Sequence, residues 1–241
     1  MSQTRVEATL PAVPMLPVAE SESLPSRKVL RSWLLDLAEK TTARPIFLLV
    51  VDYILYGLLM WAAIAAPHWS LRLLAGLFMG FWIGRLFVIG HDACHQAYTP
   101  SKPLNKWLGR IAFLPSLSTY SLWDVGHNVI HHGFTNLKGV DFVWAPASAE
   151  EYQAMSPTRR LFERMYRSGW APWLYYMVEI WWEKMFWPNK KVQPARRPAF
   201  FWDNVLVSVY AVIWLAIVVF GALAVDVNVF SAPFTAFVVP F

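Results

Sequence analysis

The sequence predicts an all-α integral membrane protein, in which a transmembrane helical hairpin and further spans carry a histidine-rich cap on the cytoplasmic side. Hydrophobic residues make up 56% of the 241-residue chain and charged residues only 15%, whereas soluble domains carry about a quarter charged residues. Several apolar runs are long enough to cross a bilayer as helices. Five of the six histidines fall between His91 and His132, close to these runs.

The first 44 residues precede any predicted span. Residues 1–26 contain four prolines and show no sustained helical period, so we expect a disordered tail. The first long apolar run begins only at residue 45 and is too long for the apolar region of a signal peptide. Residues 27–44 alternate basic and apolar residues, and this pattern predicts an amphipathic helix at the membrane interface.

Two apolar runs predict the transmembrane hairpin. Residues 45–66 form the first span and residues 71–90 the return span, joined by a short turn that places His68 on the far side. One charge, Asp52, interrupts the first span. A charged residue inside the membrane is costly and is by default a hint of function. Near the cytoplasmic end, however, we favour a structural pairing of Asp52 with Arg85 or with lipid headgroups.

Two further apolar runs follow in the C-terminal part. Residues 205–225 contain no charge and predict a third span. Residues 227–241 are apolar again and predict a partial fourth span, so we interpret the sequence as an incomplete fragment of a longer protein. In the second span, Gly76, Gly80 and Gly84 repeat every fourth residue, a pattern that lets another helix approach closely.

The segment between the second and third spans predicts several short elements. Residues 123–132 predict a short helix, and residues 141–146 predict an ordered loop. Ser156 is placed to cap a helix that has Pro157 in its first turn. Residues 170–187 contain five tryptophans, which is typical of a helix at the membrane interface.

The basic residues follow the spans. Of the 21 Lys and Arg residues, six precede residue 45 and thirteen lie between residues 91 and 198. Short flanking segments rich in Lys and Arg stay in the cytoplasm, so we expect the N-terminus and the histidine segment on that side. The net charge of +5 comes without a basic patch that contains interleaved stacking aromatics, and we therefore expect no nucleic-acid partner.

The spacing of the histidines indicates metal binding. His91 and His95 are four residues apart, as are His127 and His131, and His132 follows directly. On a helix each such pair projects from one face. Imidazole binds iron, copper, zinc or nickel, and five rings exceed the four ligands of a structural zinc site, so we expect two metal ions. The alternative interpretation is a group of ordinary histidines at a membrane interface.

At these positions the sequence resembles the membrane fatty acid desaturase family, whose histidine boxes are written H-x3/4-H and H-x2/3-H-H. The boxes stand here as HDACH at 91–95 and HNVIHH at 127–132. The resemblance extends over roughly residues 45–241, which we treat as one incomplete desaturase-like membrane domain that lacks the third box of the family. Residues after the second box resemble the branch that includes omega-6 (delta-12) acyl desaturases: Asp141, Trp144, Pro146 and Ser148.

The resemblance implies an oxidoreductase that introduces a double bond into an acyl chain at a non-haem di-iron centre, with O2 as co-substrate. It implies an acyl lipid or acyl thioester as substrate, and a ferredoxin, rubredoxin or cytochrome b5-type protein as electron donor. Because the third box is missing, we expect this chain alone to bind iron weakly and to be inactive. The implied catalytic residues and metal ligands are His91, His95, His127, His131 and His132.

Other functions remain open on the residues alone. Hydroxylases and ketolases that act on lipids, alkanes or carotenoids use similar boxes. A bis-histidine haem membrane protein carries paired histidines at helix ends, and a non-catalytic membrane chain with degenerate boxes fits the same pattern. Around the boxes, Asp92, Asn128 and Asp141 are candidates to hold the ligands in place, with a structural or surface role for each as the alternative.

Overall fold

The computed structural model describes residues 25–34, 39–143, 145–188 and 197–241, and all regular structure in these ranges is helical. Trp144, most of the predicted tail, residues 35–38 of the predicted amphipathic stretch and residues 189–196 lie outside the described residues. The α-helices are α1 Arg27–Leu34, α2 Ala43–Ala65, α3 Trp69–Cys94, α4 Lys102–Phe113, α5 Tyr120–Trp123, α6 His132–Phe134, α7 Ala149–Ala154, α8 Pro157–Tyr166, α9 Pro172–Tyr175, α10 Pro198–Ala224 and α11 Ser231–Pro233. A 3₁₀ turn spans Leu114–Ser116, and the π-helices are π1 Asp124–His131, π2 Tyr176–Phe186 and π3 Phe234–Val238.

Helix α1 belongs to the first of two units into which the chain divides, and the other helices belong to the second unit, which begins at Lys40. The eight residues of α1 include none that is buried. Basic and apolar side chains alternate along the helix, and its four large apolar side chains are exposed. Within the predicted amphipathic stretch 27–44, the described helix covers the first eight residues.

Within the described ranges, three helices are long and apolar enough to cross a membrane: α2, α3 and α10. Their lengths of 23, 26 and 27 residues exceed the about 20 residues that a bilayer core requires. Helices α2 and α3 pack against each other as a hairpin. These observations confirm the predicted fold class, an all-α membrane protein with a helical hairpin and a further span.

An ion pair joins the two helices of the hairpin inside its apolar region. Arg85 Nε donates a hydrogen bond to Asp52 Oδ1 at 2.8 Å. Asp52 is buried, whereas the Arg85 side chain is about half exposed. Because an unpaired carboxylate is expensive in an apolar environment, the pairing stabilises the hairpin. It also confirms the predicted pairing of Asp52 with Arg85.

Helix α10 and the C-terminal segment pack on the hairpin through buried polar contacts. The hydroxyls of Tyr56 and Tyr210 lie 3.0 Å apart, and Trp214 Nε1 donates to the Ala236 carbonyl at 3.1 Å. The Thr235 hydroxyl donates to the Ala63 carbonyl at 2.8 Å. Polar groups at membrane depth require such partners, so these bonds fix how α2, α10 and π3 meet.

Two of the three glycines that repeat every fourth residue on α3 make the close approach that their spacing predicts. A Cβ atom at Gly76 would overlap the Thr235 carbonyl oxygen, and one at Gly80 would lie 3.0 Å from the Pro240 carbonyl oxygen. A Cβ atom at Gly84 would meet no atom within 4 Å. The C-terminal segment therefore lies against the first two glycines of the row.

The segments between α3 and α10 place the end of α3 beside the helix that starts at α5. Helix α4 packs along α3, and α5 contacts α10. Trp181 in π2 donates from Nε1 to the Leu117 carbonyl at 2.8 Å, next to the start of α5. As predicted, Ser156 caps α8, since its Oγ accepts a hydrogen bond from the Arg159 N–H at 3.3 Å.

We expect Gly76→Val to destabilise the fold, because the added side chain needs the space of the Thr235 backbone. Overpacking of this kind costs about 1–3 kcal/mol. The matched control is Gly84→Val on the same helix, where the added atoms enter open space. Thermal unfolding in detergent, followed by circular dichroism, compares the two variants. Equal midpoints would contradict the close packing at Gly76.

Candidate metal centre

The first histidine pair lies where α3 ends. His91 is in the last turn of α3, and His95 directly follows the last helical residue, Cys94. The four-residue interval brings the two rings together on one face, with their Nε2 atoms 3.2 Å apart. The ring planes are close to perpendicular, at a centroid distance of 4.5 Å.

The second box lies on a helix with π winding. Residues 120–134 form one continuous helix composed of α5, π1 and α6. At the end of π1 the His132 N–H donates to the His127 carbonyl, which is the five-residue interval of a π-helix. Residues five apart therefore lie together, and the Nε2 atoms of His132 and His127 are 3.1 Å apart. This differs from the α-helical spacing expected for the segment, in which His127 would pair with His131.

His131 is oriented by a buried carboxylate. Its ring stacks on that of His127 at a centroid distance of 5.4 Å, but its Nδ1 lies 2.9 Å from Asp141 Oδ2. Asp141 also accepts hydrogen bonds from the N–H groups of Asn136 and Val143. Burial raises the pKa of Asp141, but the bonds from Asn136, Val143 and His131 outweigh it and lower the pKa below its ordinary value. An ionised Asp141 accepts a hydrogen bond from the Nδ1–H of His131, which leaves Nε2 of His131 as the metal-binding nitrogen.

The two boxes converge on each other. Nε2 of His91 lies 3.1 Å from Nε2 of His127, so that His95, His91, His127 and His132 form a continuous series of Nε2 contacts. The ligand atoms of His91, His95 and His127 all lie within 4.8 Å of one another. The sixth histidine, His68, precedes α3 at the opposite end of that helix.

Burial keeps the central ring of this series neutral. It lowers the pKa of His127 to about 3, and the neighbouring His91 and His132 contribute to the shift. Burial, followed by the same two neighbours, also lowers the pKa of His95. Nδ1 of His91 lies 3.0 Å from Asp92 Oδ1, and we assign the proton to Nδ1 and the lone pair to Nε2. Neutral imidazoles with converging lone pairs are the form that binds a metal cation.

Asp124 and Trp123 hold the two boxes together and were not among the residues that the sequence predicted. Asp124 Oδ1 accepts a hydrogen bond from Asn128 Nδ2 at 2.7 Å, and the same amide donates to the Cys94 carbonyl at 3.0 Å. This bridge joins π1 to the end of α3. Trp123 stacks on His127 at a centroid distance of 3.9 Å. The sequence carries one signal for Asp124, its position four residues before Asn128 on a predicted helix.

Residues 67–241 match the family model described as fatty acid desaturase. This chain belongs to the fatty acid desaturase family. The matched region contains both histidine boxes and therefore the whole convergent cluster. Desaturases of this family generally use O2 at a di-iron site, and a cluster of imidazoles is the element of that chemistry present here.

Three similar proteins are named as desaturases. The sn-1 oleoyl-lipid 12-desaturase of Arthrospira platensis is 34% identical over 125 residues, which cover 52% of this chain and 35% of the relative. An omega-3 fatty acid desaturase of Caenorhabditis elegans is 32% identical over 154 residues, with coverage of 62% and 38%. The sn-1 acyl-lipid omega-3 desaturase (ferredoxin) of Synechocystis is 30% identical over 154 residues, with coverage of 63% and 42%. The matches thus span 35–42% of the length of these relatives. No solved structure matches the chain.

The donor set fits iron. Imidazole suits first-row transition metals, and nitrogens bound to one such ion at about 2 Å lie about 3 Å from each other. The Nε2 separations of 3.1–3.2 Å agree with this value. A bis-histidine haem is not favoured, because a porphyrin does not fit between nitrogens 3.1 Å apart. The hydroxylase and ketolase alternatives are not favoured either, since the relatives are named as desaturases.

The π winding predicts that the second box tolerates the loss of one residue. Deletion of Val129, which is exposed, leaves the former His132 four residues after His127, at the α-helical interval. We expect the deletion variant to keep its cobalt(II) affinity to within about tenfold. Insertion of one alanine at the same place separates the rings of His127 and the former His132. We expect it to lower the cobalt(II) affinity about 10–100-fold, as loss of ligand orientation does. Spectrophotometric titration measures both, and similar affinities for the two variants would contradict the π-helical arrangement.

Proposed function

We propose that this chain is part of an O2-dependent fatty acyl desaturase and that its five clustered histidines hold non-haem iron. The observation that carries the proposal is the series of Nε2 contacts that joins His95 and His91 to His127 and His132. His131 is the fifth proposed ligand, because its Nδ1 is turned to Asp141 and its Nε2 is left to bind metal. When bound, iron in such a site supplies the oxidising power that removal of hydrogen from an unactivated methylene requires.

We place the acyl chain in an open cavity of about 840 Å³ beside α3. This volume lies within the range of about 300–1,000 Å³ that ligand pockets occupy. Phe87, which precedes His91 by about one helical turn, lies on the cavity wall and meets Trp123 at 5.6 Å between ring centroids. The remaining wall is mainly apolar and includes Gly84, Trp173, Tyr176, Met177 and Phe237. An apolar cavity that starts one turn from the histidines suits a substrate that reacts at a methylene.

The residues around the cluster have two tasks in this proposal. Trp123 packs against His127 and against Phe113, at centroid distances of 3.9 and 5.3 Å, so that an apolar ring covers one face of His127. Asp92 and Asp141 each accept from the Nδ1 of a histidine, which fixes the orientation of that ring. A rigid ligand set beside an apolar cavity favours oxidation of the substrate over side reactions.

The proposal includes the side of the membrane and the electron donor. The basic segments that flank the spans favour a cytoplasmic location for the N-terminus and for the histidine boxes. A soluble donor of the ferredoxin, rubredoxin or cytochrome b5 type would reach the cluster from that side. The Synechocystis relative carries ferredoxin in its name, which favours the first of these donors.

Replacement of a clustered histidine removes one proposed ligand. We expect His127→Gln to lower the iron(II) and cobalt(II) affinity of the purified chain at least about tenfold, since even a residue that only orients a ligand is worth about 10–100-fold. His68→Gln is the matched control, because His68 lies at the other end of α3. Anaerobic metal titration measures both variants. Equal losses of affinity would exclude the cluster as the metal site.

The activity is tested by expressing the reading frame that contains this chain in a bacterial host, together with ferredoxin and its reductase. Gas chromatography of the host fatty acids should reveal acyl chains with one additional double bond, and oleoyl chains are the first substrate to examine. The same reading frame with His127→Gln should give none. Hydroxylated or oxo products in place of the new double bond would overturn the assignment as a desaturase.

A further inference from the structure

One carboxylate on α10 is hydrogen-bonded to the helix that carries the second histidine box. Asp203, near the start of α10, is buried. Its Oδ2 accepts a hydrogen bond from the Ser121 backbone N–H at 3.0 Å. Its two oxygens also accept from Arg110, from Nε at 2.7 Å and from Nη2 at 3.3 Å. Because a bidentate arginine–carboxylate pair is strong and directional, the Asp203 carboxylate is held in one position.

Asp203 takes the place of a capping side chain at the start of this helix. Thr119, the residue at the N-cap position, makes no side-chain cap hydrogen bond, and its hydroxyl instead donates to Asn204 Oδ1 at 2.7 Å. Ser121 lies in the first turn, where backbone N–H groups have no partner within the helix. A negative charge at this end also interacts favourably with the helix dipole. The helix start is therefore fixed by α10 and not by its own sequence.

The position of the helix start decides the position of His127. Trp123 follows Ser121 by two residues, is buried, and stacks on His127 at 3.9 Å between ring centroids. His127 meets His91 with only 3.1 Å between their Nε2 atoms. If the helix shifted by even a fraction of 3.1 Å, the Nε2 lone pairs of His91 and His127 would no longer converge on one point.

We propose that Asp203 is a positioning residue, which anchors the helix of residues 120–134 so that His127 meets His91 and thereby sets the metal affinity of the cluster. The effect on metal affinity rests on the proposed function. The anchoring of the helix does not depend on the proposed function, and it is measured separately by hydrogen–deuterium exchange.

Asp52 offers a matched control within the same chain. It too is a buried aspartate on a membrane-spanning helix, and it accepts from Arg85 Nε at 2.8 Å, much as Asp203 accepts from Arg110 at 2.7 Å. The difference lies in the second oxygen. Oδ2 of Asp52 has no hydrogen-bond partner among the described residues, whereas Oδ2 of Asp203 accepts from Ser121.

The experiment compares Asp203→Ala, Asp203→Asn and Asp52→Ala in the purified full chain. Cobalt(II) titration measures metal affinity, and hydrogen–deuterium exchange with mass spectrometry follows peptides from residues 120–134. We expect Asp203→Ala to weaken cobalt binding about 10–100-fold and to accelerate exchange in these peptides. Asp203→Asn keeps an acceptor for the Ser121 N–H. Its cobalt affinity and its exchange rate should therefore lie between those of the wild type and of Asp203→Ala. Asp52→Ala should lower thermal stability but leave cobalt affinity and the exchange of these peptides unchanged.

Equal cobalt affinities and equal exchange rates over residues 120–134 in the Asp203 and Asp52 variants would overturn the proposal. If the wild-type chain binds no cobalt, the proposed function fails, and the exchange comparison alone decides whether Asp203 anchors the helix. If Asp203→Ala does not fold, Asp203→Asn and Arg110→Lys provide the same comparison, because lysine keeps the charge but cannot form the bidentate pair.

Discussion

The contact between Nε2 of His91 and Nε2 of His127 is the constraint on which the site depends. The two residues are 36 positions apart and lie on different helices, so no local preference brings them together. The bridge from Asn128 to the Cys94 carbonyl and the packing of Trp123 hold the two helices at this distance. Imidazoles this close repel one another if they are protonated, and the lowered pKa of His127, about 3, removes that repulsion.

The π winding gives a physical meaning to the variable spacing of the second histidine box. In the pattern H-x2-H-H the last histidine follows the first by four residues, and in H-x3-H-H it follows by five. An α-helix brings residues four apart together, and a π-helix does so for residues five apart. In this chain His127 meets His132 across five residues. The π-helical winding thus accommodates the extra residue, and the first and last histidines of the box remain in contact.

Features that depend on local periodicity could be predicted from the sequence. The three long apolar runs and the pairing of His91 with His95 follow from the helical period. The orientation of the His131 ring does not follow from the helical period, because its Nδ1 contacts Asp141, which lies in a loop beyond the helix. The link from Asp203 to the second box was also inaccessible, since the residue it binds lies 82 positions earlier and no motif marks either one.

Comparison of Asp52 with Asp203 suggests how a charge within an apolar helix is best interpreted. Both are buried and both are neutralised by an arginine, so burial and pairing alone do not distinguish them. What differs is the second oxygen, which in Asp203 accepts a backbone N–H at the start of another helix. A fixed carboxylate positions the groups that it hydrogen-bonds. Asp52 therefore aligns the two helices of the hairpin, whereas Asp203 aligns the helix that carries the second histidine box. The geometry of the cluster is therefore set by the membrane-spanning scaffold as well as by the cap that carries the histidines.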